Sequence, residues 1–590
     1  GEWHHAGGNH DSAKYSPLEQ INASNFSDLE VAWRWQSADA RIPRREAYGT
    51  GDYRAVPLVV NGVMYANTNH GQVAALDPVT GRELWIYDPQ SYRHDQSLPK
   101  GGPSQTRSIE YWTDGEIERL FVATLGKQLL SIDIKTGLPD PNFGDAGIVD
   151  LRGDFGKSAD EINLDHITHG APPIAVGNSV IVGSSIFDYS EFNRNPPGHV
   201  RAYDARSGEF KWRFNTIPQL GEPGNETWEN DSWRKAGNTN VWTFMSADDE
   251  AGIVYLPVAT PTNDYYGGLR PGANLYAESI VALNADTGER IWHFQTVHHG
   301  LWDYDIASAP NLVDIEVDGR TIKAVAQVSK TGYTYVFDRV SGEPVWPIEE
   351  RPVPQSIVPG EQAYPTQPYP SKPPPFERVG VTIDDLIDFT PELRQEAIEI
   401  VKEYVIGPIF TPPIVRGQNG KRSTIVLPGA GGGASFPGAS LDSETGILYV
   451  PSTTRPTGMS LIDPEADNSD FRYVIKYDLN FGPQGLPLIK PPYRRITAID
   501  LNQGEQLWQI PLGKGPVNHP ALAHLNLPDL GSQFSGPPAE GGLLITKALV
   551  ITHLLQSTEI DPDADGSILV AFDKETGEKI GEVLVDRRLH

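Results

Sequence analysis

The side chains that could carry chemistry stand in a few short phrases. Residues 297–305 bring together His298, His299 and Asp303, whose imidazole and carboxylate groups can exchange protons. A second phrase, residues 328–332, places Lys330 inside the stretch 324–337, which reads as a buried strand. A lysine in such a place can stabilise negative charge, whereas a surface lysine is the simpler alternative. The burial of the flanking strand favours a functional lysine.

Residue types that are missing exclude several kinds of chemistry. The chain has no cysteine, so it has no thiolate nucleophile, cysteine-ligated zinc, iron–sulfur cluster, disulfide or c-type haem attachment. No serine, zinc or paired-carboxylate arrangement stands out, which disfavours a hydrolase.

The charge balance limits the possible partners. Lysine and arginine number 48 against 77 acidic residues, a net charge of −29. Such a surface repels phosphate backbones and anionic lipids, so we expect no nucleic-acid binding. No apolar run approaches the roughly 18 residues of a membrane span, so we also expect no transmembrane segment. The N-terminal residues do not read as a signal peptide, and we expect that any targeting segment has been removed.

One phrase returns along the whole chain: an apolar residue, Asp or Asn, three further residues, Gly and, in the complete copies, a Trp four residues later. Complete copies begin at Leu76, Tyr203, Leu283, Phe337 and Ile499, and shorter copies without the Trp begin at Ile132, Leu441 and Phe572. In such a phrase the Asp side chain caps a turn between strands, Gly takes a positive φ and Trp packs between sheets. Apolar hairpins precede several copies, as in residues 57–65 and 173–182.

Eight copies of this phrase, which we call marks, in 590 residues predict an all-β fold, an eight-bladed β-propeller with loop insertions and short helices. The length alone would suggest about four domains, but the repeats favour one domain over residues 1–590. Several β-sandwiches in series are the alternative. A proline-rich insertion covers about residues 351–414, with a helix predicted over 391–404. The last blade is completed by the N-terminal segment that includes residues 31–35, or part of it is missing.

The repeats and several other phrases resemble the pyrroloquinoline quinone (PQQ)-dependent alcohol and sugar dehydrogenases, in particular the glucose-dehydrogenase-like branch. The most specific phrases are residues 224–228, 237–242, 279–283, 297–305 and 427–433. The resemblance covers nearly the whole chain. It implies a quinoprotein β-propeller that binds PQQ.

The resemblance also implies a set of cofactor-binding residues. Trp242 matches the tryptophan that stacks below the quinone ring, and Arg107 matches an arginine that holds a PQQ carboxylate. Thr168 and Ser185 match hydroxyl donors to the cofactor. Lys330 matches the cation beside the reactive quinone oxygens, where it has a catalytic role.

A divalent metal ion is implied in the same way. Asp188 matches the first carboxylate ligand of the family, and Thr260 falls where the family carries Asn or Thr. Oxygen ligands of this kind suit Ca²⁺. The branch that uses a lanthanide carries an additional Asp where this chain has Leu275, so a lanthanide is disfavoured.

The sequence departs from the family pattern at the catalytic base. The family has Asp in a phrase that here reads Arg-Pro-Gly-Ala-Asn, so the base position is Ala273. Gly300 stands where this branch usually has Asp, and Ser435 and Phe436 stand where Asn-Trp is usual. Alanine cannot accept a proton, and a positioned base contributes about 10²–10⁴-fold to the rate.

Three interpretations of Ala273 remain open. Another group serves as the base, the substrate pocket has diverged, or the chain is an inactivated or engineered variant. We assign the catalytic role to Asp303 together with Lys330. The side chains in nearby loops that could replace the missing base are Asp264, Asp303, His298 and His299.

Two function classes follow. The first is a periplasmic or secreted dehydrogenase that uses PQQ and Ca²⁺ to oxidise an alcohol or sugar, with a separate cytochrome or quinone as electron acceptor. The second is a non-catalytic propeller, either an interaction scaffold or a PQQ-binding protein. A scaffold has no need for Trp242, Lys330, Asp188 and Thr260 together, which favours the enzyme. The sequence indicates neither the particular substrate nor the oligomeric state.

Overall fold

The computed structural model describes residues 1–43, 53–94, 106–156, 162–187, 195–464, 469–478, 482–532, 541–555 and 566–587. In these ranges β-strands are the main regular secondary structure. The α-helices are Ser91–His94 and Pro391–Val401. Short 3-10 turns occupy Phe26–Asp28, Ala38–Arg41, Leu164–His166, Asn225–Thr227, Glu229–Arg234, Ile383–Asp385, Gln418–Gly420, Pro483–Gly485, Pro516–Asn518 and Ala523–Leu525. Among the described helices, none has the length and apolar character needed to cross a membrane.

Most strands form antiparallel sheets whose strands follow chain order, with strands of other sheets inserted within the third and sixth, and the described residues give seven such sheets. In chain order, the first three contain Leu58–Val60, Val63–Asn67, Val73–Leu76 and Glu83–Tyr87; Glu110–Thr113, Glu118–Ala123, Gln128–Asp133 and Ile148–Asp150; and Ile174–Val176, Ser179–Val182, Val200–Asp204 and Phe210–Phe214. The fourth and fifth contain Ser246–Asp248, Ile253–Pro257, Ser279–Asn284 and Arg290–Gln295; and Asn311–Val317, Arg320–Val328 and Thr334–Asp338. The last two contain Ser440–Asp442, Ile447–Thr453, Arg494–Asp500 and Glu505–Pro511; and Leu544–Thr546, Leu549–Leu555, Ser567–Asp573 and Lys579–Val585.

The repeated phrase forms the turn that the sequence predicts. The Oδ1 atom of Asp77 accepts hydrogen bonds from the amides of Val79 and Thr80, at 2.9 and 3.0 Å, and Gly81 closes the turn onto the Asp77 carbonyl. All eight glycines have φ between 65° and 78°, a region in which a side chain is strained: Gly81, Gly137, Gly208, Gly288, Gly342, Gly446, Gly504 and Gly577. The turn interpretation is confirmed.

Tryptophans pack against these glycines in neighbouring sheets. A Cβ atom on Gly137 would lie 2.5 Å from the ring of Trp85, so nothing larger than glycine fits there. The same contact recurs in the pairs Trp33–Gly81, Trp212–Gly288, Trp292–Gly342, Trp346–Gly504 and Trp508–Gly577. The predicted packing of the Trp between sheets is therefore confirmed, and it joins one sheet to the next.

The predicted number of eight blades is not confirmed. The mark that ends at Gly446 joins the first two strands of the sixth sheet, and the mark that ends at Gly504 joins the last two strands of the same sheet. The Asp-x-x-x-Gly turn suits any tight connection between antiparallel strands, so it does not mark one fixed position in a blade. Counting marks therefore overestimates the number of these sheets.

The N-terminal segment crosses the first strands of several sheets. Trp3 exchanges hydrogen bonds with Val59 of the first sheet, and Tyr15–Ser16 pairs in parallel with Leu544–Thr546 of the seventh. Between them, the carbonyls of residues 10, 11, 13 and 14 accept hydrogen bonds from the amides of Ala247, Leu312, Leu441 and Ile545. Residues 3–16 therefore tie together five sheets.

Residues 31–35 lie between the last and first sheets. The indole of Trp33 donates to the carbonyl of Pro78, at 3.0 Å, and Arg34 forms an ion pair with Asp586. This placement agrees with the expectation that the N-terminal segment contributes to the region of the last sheet. The predicted hairpins at residues 57–65 and 173–182 are also present, as the first two strands of the first and third sheets.

The remaining strands lie outside the seven sheets. They pair as Ile167–Thr168 with Ser185–Ile186, as Ile348–Pro352 with Thr366–Pro370, and as a group of Ile414–Val415, Thr424–Val426, Thr457–Ile462 and Val474–Asp478. The proline-rich insertion contains the helix Pro391–Val401, which begins after Thr390 and ends three residues before the predicted end. Its apolar face packs with Leu486, Leu488 and Ile489 in a core of its own.

Candidate active site

Lys330 lies between two carboxylates. Its ammonium Nζ donates to Asp303 Oδ1 at 2.9 Å and to Asp305 Oδ2 at 3.0 Å. The lysine follows the strand Arg320–Val328, and both aspartates lie in the connection between the fourth and fifth sheets. We call Lys330, Asp303 and Asp305 the lysine–aspartate cluster. The prediction that Lys330 is buried rather than on the surface is confirmed, because its side chain is only 8% exposed.

The two aspartates fix the charge of the lysine. Burial alone would lower the pKa of Lys330, but Asp303 and Asp305 outweigh it and raise the pKa above its ordinary value. Burial would raise the pKa of Asp305, and Lys330, together with hydrogen bonds from Thr260, holds it below the ordinary value. Lys330 and Asp305 are therefore charged at neutral pH, which places a permanent cation next to Asp303.

A glycine-rich loop covers the lysine. The amide of Gly433 donates to the carbonyl of Lys330, at 2.9 Å. A Cβ atom on Gly432, where φ is 76°, would lie 2.4 Å from Cγ of Lys330. Residues 429–433 therefore need glycine at this point to approach the lysine so closely.

Trp242 connects the lysine–aspartate cluster to Arg107. The indole Nε1 donates to Asp305 Oδ2 at 3.2 Å. The guanidinium of Arg107 lies 5.1 Å from the ring centroid of Trp242 and 5.2 Å from that of Phe436, and it donates to the carbonyl of Trp242 at 3.2 Å. This places a broad aromatic face, which we call the Trp242 platform, and the cation of Arg107 beside the cluster.

Thr168 and Ser185 lie opposite each other in a two-stranded pair. The hydroxyl of Thr168 donates to the carbonyl of Ser185 at 3.3 Å. Gly170 accepts a hydrogen bond from the amide of Arg107, and the amide of Ser184 donates to the carbonyl of Val241. These hydrogen bonds link the neighbours of the pair to the backbone of Arg107 and of Val241, which precedes Trp242. The structure thus brings the five predicted cofactor-binding residues into one neighbourhood.

Oxygen atoms gather around Thr260. Its hydroxyl lies 2.9 Å from Asp305 Oδ1 and 3.1 Å from Asp264 Oδ1, and its amide donates to Asp305 Oδ1 at 2.8 Å. Carboxylate and hydroxyl oxygens are the donors that a hard cation such as Ca²⁺ prefers. The other predicted ligand, Asp188, lies outside the described residues.

A buried carboxyl group that the sequence analysis missed lies close to the cluster. Glu278 is fully buried, and neither carboxyl oxygen has a hydrogen-bond partner in the described part of the chain. Burial raises its pKa to about 8; Asp305 and Asp303 add to this effect, whereas Arg270 opposes it. Glu278 therefore holds a proton at neutral pH, and it can release one within the physiological range.

Gly300 leaves room for this carboxyl group. A Cβ atom at residue 300 would lie 2.0 Å from Oε2 and 2.1 Å from Oε1 of Glu278. The space that a side chain at residue 300 would enter is thus filled by Glu278. A side chain at residue 300 would therefore require Glu278 to move.

We expect Gly300→Ala to displace Glu278 and to destabilise the fold by about 1–3 kcal/mol, the usual cost of overpacking. Urea unfolding of the single variant measures the loss. The double variant Gly300→Ala/Glu278→Ala removes the clash and should recover most of the loss that the alanine at 300 causes in the single variant. A single variant as stable as the parent chain would contradict the contact.

The two histidines and Ala273 lie together, and the ring nitrogens of both histidines contact residues outside the lysine–aspartate cluster. The ring nitrogens of His298 contact Gln295 and Glu350, at 2.7 and 3.0 Å. Those of His299 contact the carbonyl of Gly272 and Glu361, at 2.8 and 2.7 Å, and its amide donates to the carbonyl of Ala273. Of the four groups considered as a replacement base, Asp303 is the one that contacts Lys330.

Asp305, Glu278 and Tyr265 are the site residues that sequence reasoning did not assign. Tyr265 donates to Asp303 Oδ2 at 3.1 Å and lies 2.5 Å from the hydroxyl of Tyr477. The sequence does contain a signal for Asp305, because it is a second aspartate only two residues after Asp303. The contact of Tyr265 with Asp303 spans 38 residues and had no local signal.

Sheets that pack in series, with a buried charged cluster in the loops between strands, describe a mostly-β protein with little helix. Within this class, the chain belongs to the family described as PQQ: glucose/ethanol/alcohol dehydrogenase, beta-propeller domain, whose model matches residues 3–589. The resemblance drawn from the repeated phrases and the other sequence phrases is thereby confirmed.

Individual relatives agree with this assignment. The glycerol dehydrogenase large subunit of Gluconobacter thailandicus is 30% identical over 588 residues, which cover 92% of this chain and 76% of that protein. The quinoprotein glucose dehydrogenase of Escherichia coli (strain K12) is 29% identical over 595 residues, 94% of this chain and 71% of that protein. The quinohemoprotein alcohol dehydrogenase of Comamonas testosteroni matches in fold, with a TM-score of 0.67 at 22% identity, over 100% of this chain and 74% of that one.

Proposed function

We propose that the chain is a PQQ- and Ca²⁺-dependent dehydrogenase that oxidises an alcohol or sugar hydroxyl group. The observation that carries this proposal is the lysine–aspartate cluster, a permanent cation between two carboxylates beside the Trp242 platform. The two relatives compared in sequence are named for glycerol and glucose, both of which carry hydroxyl groups. A separate cytochrome or quinone is the proposed electron acceptor, and the proposed location is the periplasm or the outside of the cell.

The donor groups fit a planar cofactor with three carboxylates. Arg107 and Lys330 supply cations, and Thr168 and Ser185 supply hydroxyl groups. The hydroxyls of Ser184 and Thr243, next to this set, are buried and have no hydrogen-bond partner in the described part of the chain, as expected for groups that await a ligand. PQQ would therefore be held by these residues, and when bound it supplies a two-electron acceptor for the hydride of the alcohol.

Asp303 has the proposed role of general base. Its carboxylate accepts the proton of the substrate hydroxyl, while the carbon gives up its hydride and becomes a carbonyl carbon. Lys330 stays protonated and stabilises the negative charge that develops beside it. Thr260, Asp264 and Asp305 supply oxygen atoms for Ca²⁺, together with the proposed ligand Asp188.

Reconstitution tests this function directly. We expect the cofactor-free protein to bind PQQ in the presence of Ca²⁺, seen as absorbance of the bound quinone, and then to reduce an artificial electron acceptor with a sugar or alcohol. The substrate panel contains glucose, glycerol and ethanol. Absence of bound-quinone absorbance would favour the scaffold, and binding without turnover would favour a PQQ-binding protein.

The role of Ala273 has its own test. If Asp303 is the base, Ala273→Asp changes kcat by no more than a few fold, because the reaction already has its proton acceptor. If the missing aspartate limits the reaction, the same substitution raises kcat by about 10²–10⁴-fold. Steady-state kinetics of the reconstituted variant distinguishes the two, and Ala273→Asn is the control that adds bulk without a base.

A further inference from the structure

A second cluster of ionisable side chains lies where the N-terminal segment meets the second and fourth sheets. It consists of His5, His10 and Glu110, and one ligand atom from each lies within 4.8 Å of the other two. Glu110 begins the strand Glu110–Thr113, and the carbonyl of His10 accepts a hydrogen bond from Ala247 in the fourth sheet. We propose that this cluster binds a divalent transition-metal ion, with Zn²⁺ as the expected ion.

The distances suit such an ion. His10 Nε2 lies 2.8 Å from Glu110 Oε1, and His5 Nε2 lies 3.7 Å from Glu110 Oε2. Tetrahedral zinc with ligand bonds of roughly 2.0–2.1 Å places its ligand atoms about 3.3 Å apart, so only small side-chain movements are needed. Two histidines and one glutamate are a known zinc-binding set that leaves the fourth position for water. The side chain of His10 is 16% exposed, which gives an ion a path of entry.

A carboxylate orients His10 for metal binding. Nδ1 of His10 lies 2.8 and 2.9 Å from the two carboxylate oxygens of Asp249, which hold the proton on this nitrogen. The lone pair of Nε2 then points to the cluster. Metal-binding histidines in proteins usually donate their other ring N–H to a carboxylate or carbonyl in this way.

The buried carboxyl group of Glu110 independently supports a ligand at this position. Glu110 is 0% exposed, and its Oε2 has no hydrogen-bond partner in the part of the chain that the structure describes. Its Oε1 accepts from the amide of Ala175 and contacts His10. A divalent ion with two neutral histidines balances the charges of Glu110 and Asp249, and it gives Oε2 a partner.

His5 must change its tautomer to bind an ion through Nε2. In this structure its Nδ1 accepts a hydrogen bond from the amide of Gly7 at 3.3 Å. Metal binding through Nε2 needs a proton on Nδ1, so we expect this loop to shift.

The test uses the full, untagged chain loaded with PQQ and kept in excess Ca²⁺, so that oxygen-ligand sites are filled. We expect one equivalent of Co²⁺ to bind with visible ligand-field bands of a nitrogen-containing site, and Zn²⁺ to displace it with loss of those bands. His10→Gln should weaken Co²⁺ binding by at least about 100-fold, and Asp249→Asn by about 10–100-fold.

His4→Gln is the matched control. His4 lies in the same segment, its side chain is 49% exposed and it pairs with Glu2, outside the proposed site, so its replacement should leave metal binding unchanged. The proposal is overturned if the parent protein binds no Co²⁺ with such bands, or if His10→Gln binds it as tightly as the parent. Should His10→Gln fail to fold, the exposed Asp249 provides the deciding variant, since unchanged affinity in Asp249→Asn also overturns the proposed site.

Discussion

Asp303→Asn should lower kcat/KM of the reconstituted enzyme by about 10²–10⁴-fold, the contribution of a positioned general base. The amide keeps the size of the side chain but cannot accept a proton from a substrate hydroxyl. It also removes one of the two negative charges that hold Lys330 protonated. Kinetics with an artificial electron acceptor measures the loss, and the absorbance of bound quinone shows whether the cofactor is still present.

Asp305→Asn is the matched control for this prediction. It removes a negative charge from the other side of Lys330 and replaces one of the two oxygens that accept from Trp242 and Thr260 by an NH2 group, so its main expected effect is on cofactor and metal affinity. If Asp303 acts as the base, only its variant loses the acidic limb of the pH profile of kcat/KM, and Asp303→Glu restores part of the rate. Equal losses and equal pH profiles in both variants would refute the assignment.

Glu278→Gln should flatten the pH dependence of stability in the cofactor-free protein. The folded pKa of Glu278 is raised to about 8, against about 4.3 for an ordinary glutamate. Between these values the folded protein holds a proton that the unfolded chain has released. Stability from this group is therefore complete below about pH 4 and falls by about 1.4 kcal/mol per pH unit until about pH 8.

Over pH 5–8 the difference between the two proteins should reach about 4 kcal/mol, with the glutamine variant gaining relative to the parent as pH rises. Denaturant midpoints at four pH values across this range measure it. Glu289→Gln, at an exposed position in a turn, is the control and should run parallel to the parent. If the Glu278→Gln curve also runs parallel, Glu278 is not a protonated buried acid.

Local features of the fold could be predicted well from sequence. The turn at Asp77 needs only its own carboxylate, nearby amides and Gly81, all within a few residues, so the pattern contains the whole structure. Which strands such a turn joins is decided by packing elsewhere. That is why the marks ending at Gly446 and Gly504 predict two blades, although the two turns lie in one sheet.

The site was predicted in part because the family pattern supplies what local sequence does not. Trp242, Arg107 and Lys330 were assigned from resemblance, and the structure brings them together through Asp305. Glu278 could not be predicted, because its effect depends on a gap left by Gly300 and on the burial of both. The cluster of His5, His10 and Glu110 joins residues about 100 positions apart, and no periodicity indicates it.

The path of residues 3–16 has a consequence for how the chain reaches its folded state. Lys14 accepts a hydrogen bond from Ile545, about 530 positions later, and Tyr15–Ser16 pairs with the same strand. Closing a loop of that length costs conformational entropy before any contact rewards it, and such distant contacts slow folding. During synthesis residues 14–16 must therefore wait for the seventh sheet, and we expect their docking to be a late, slow step of folding.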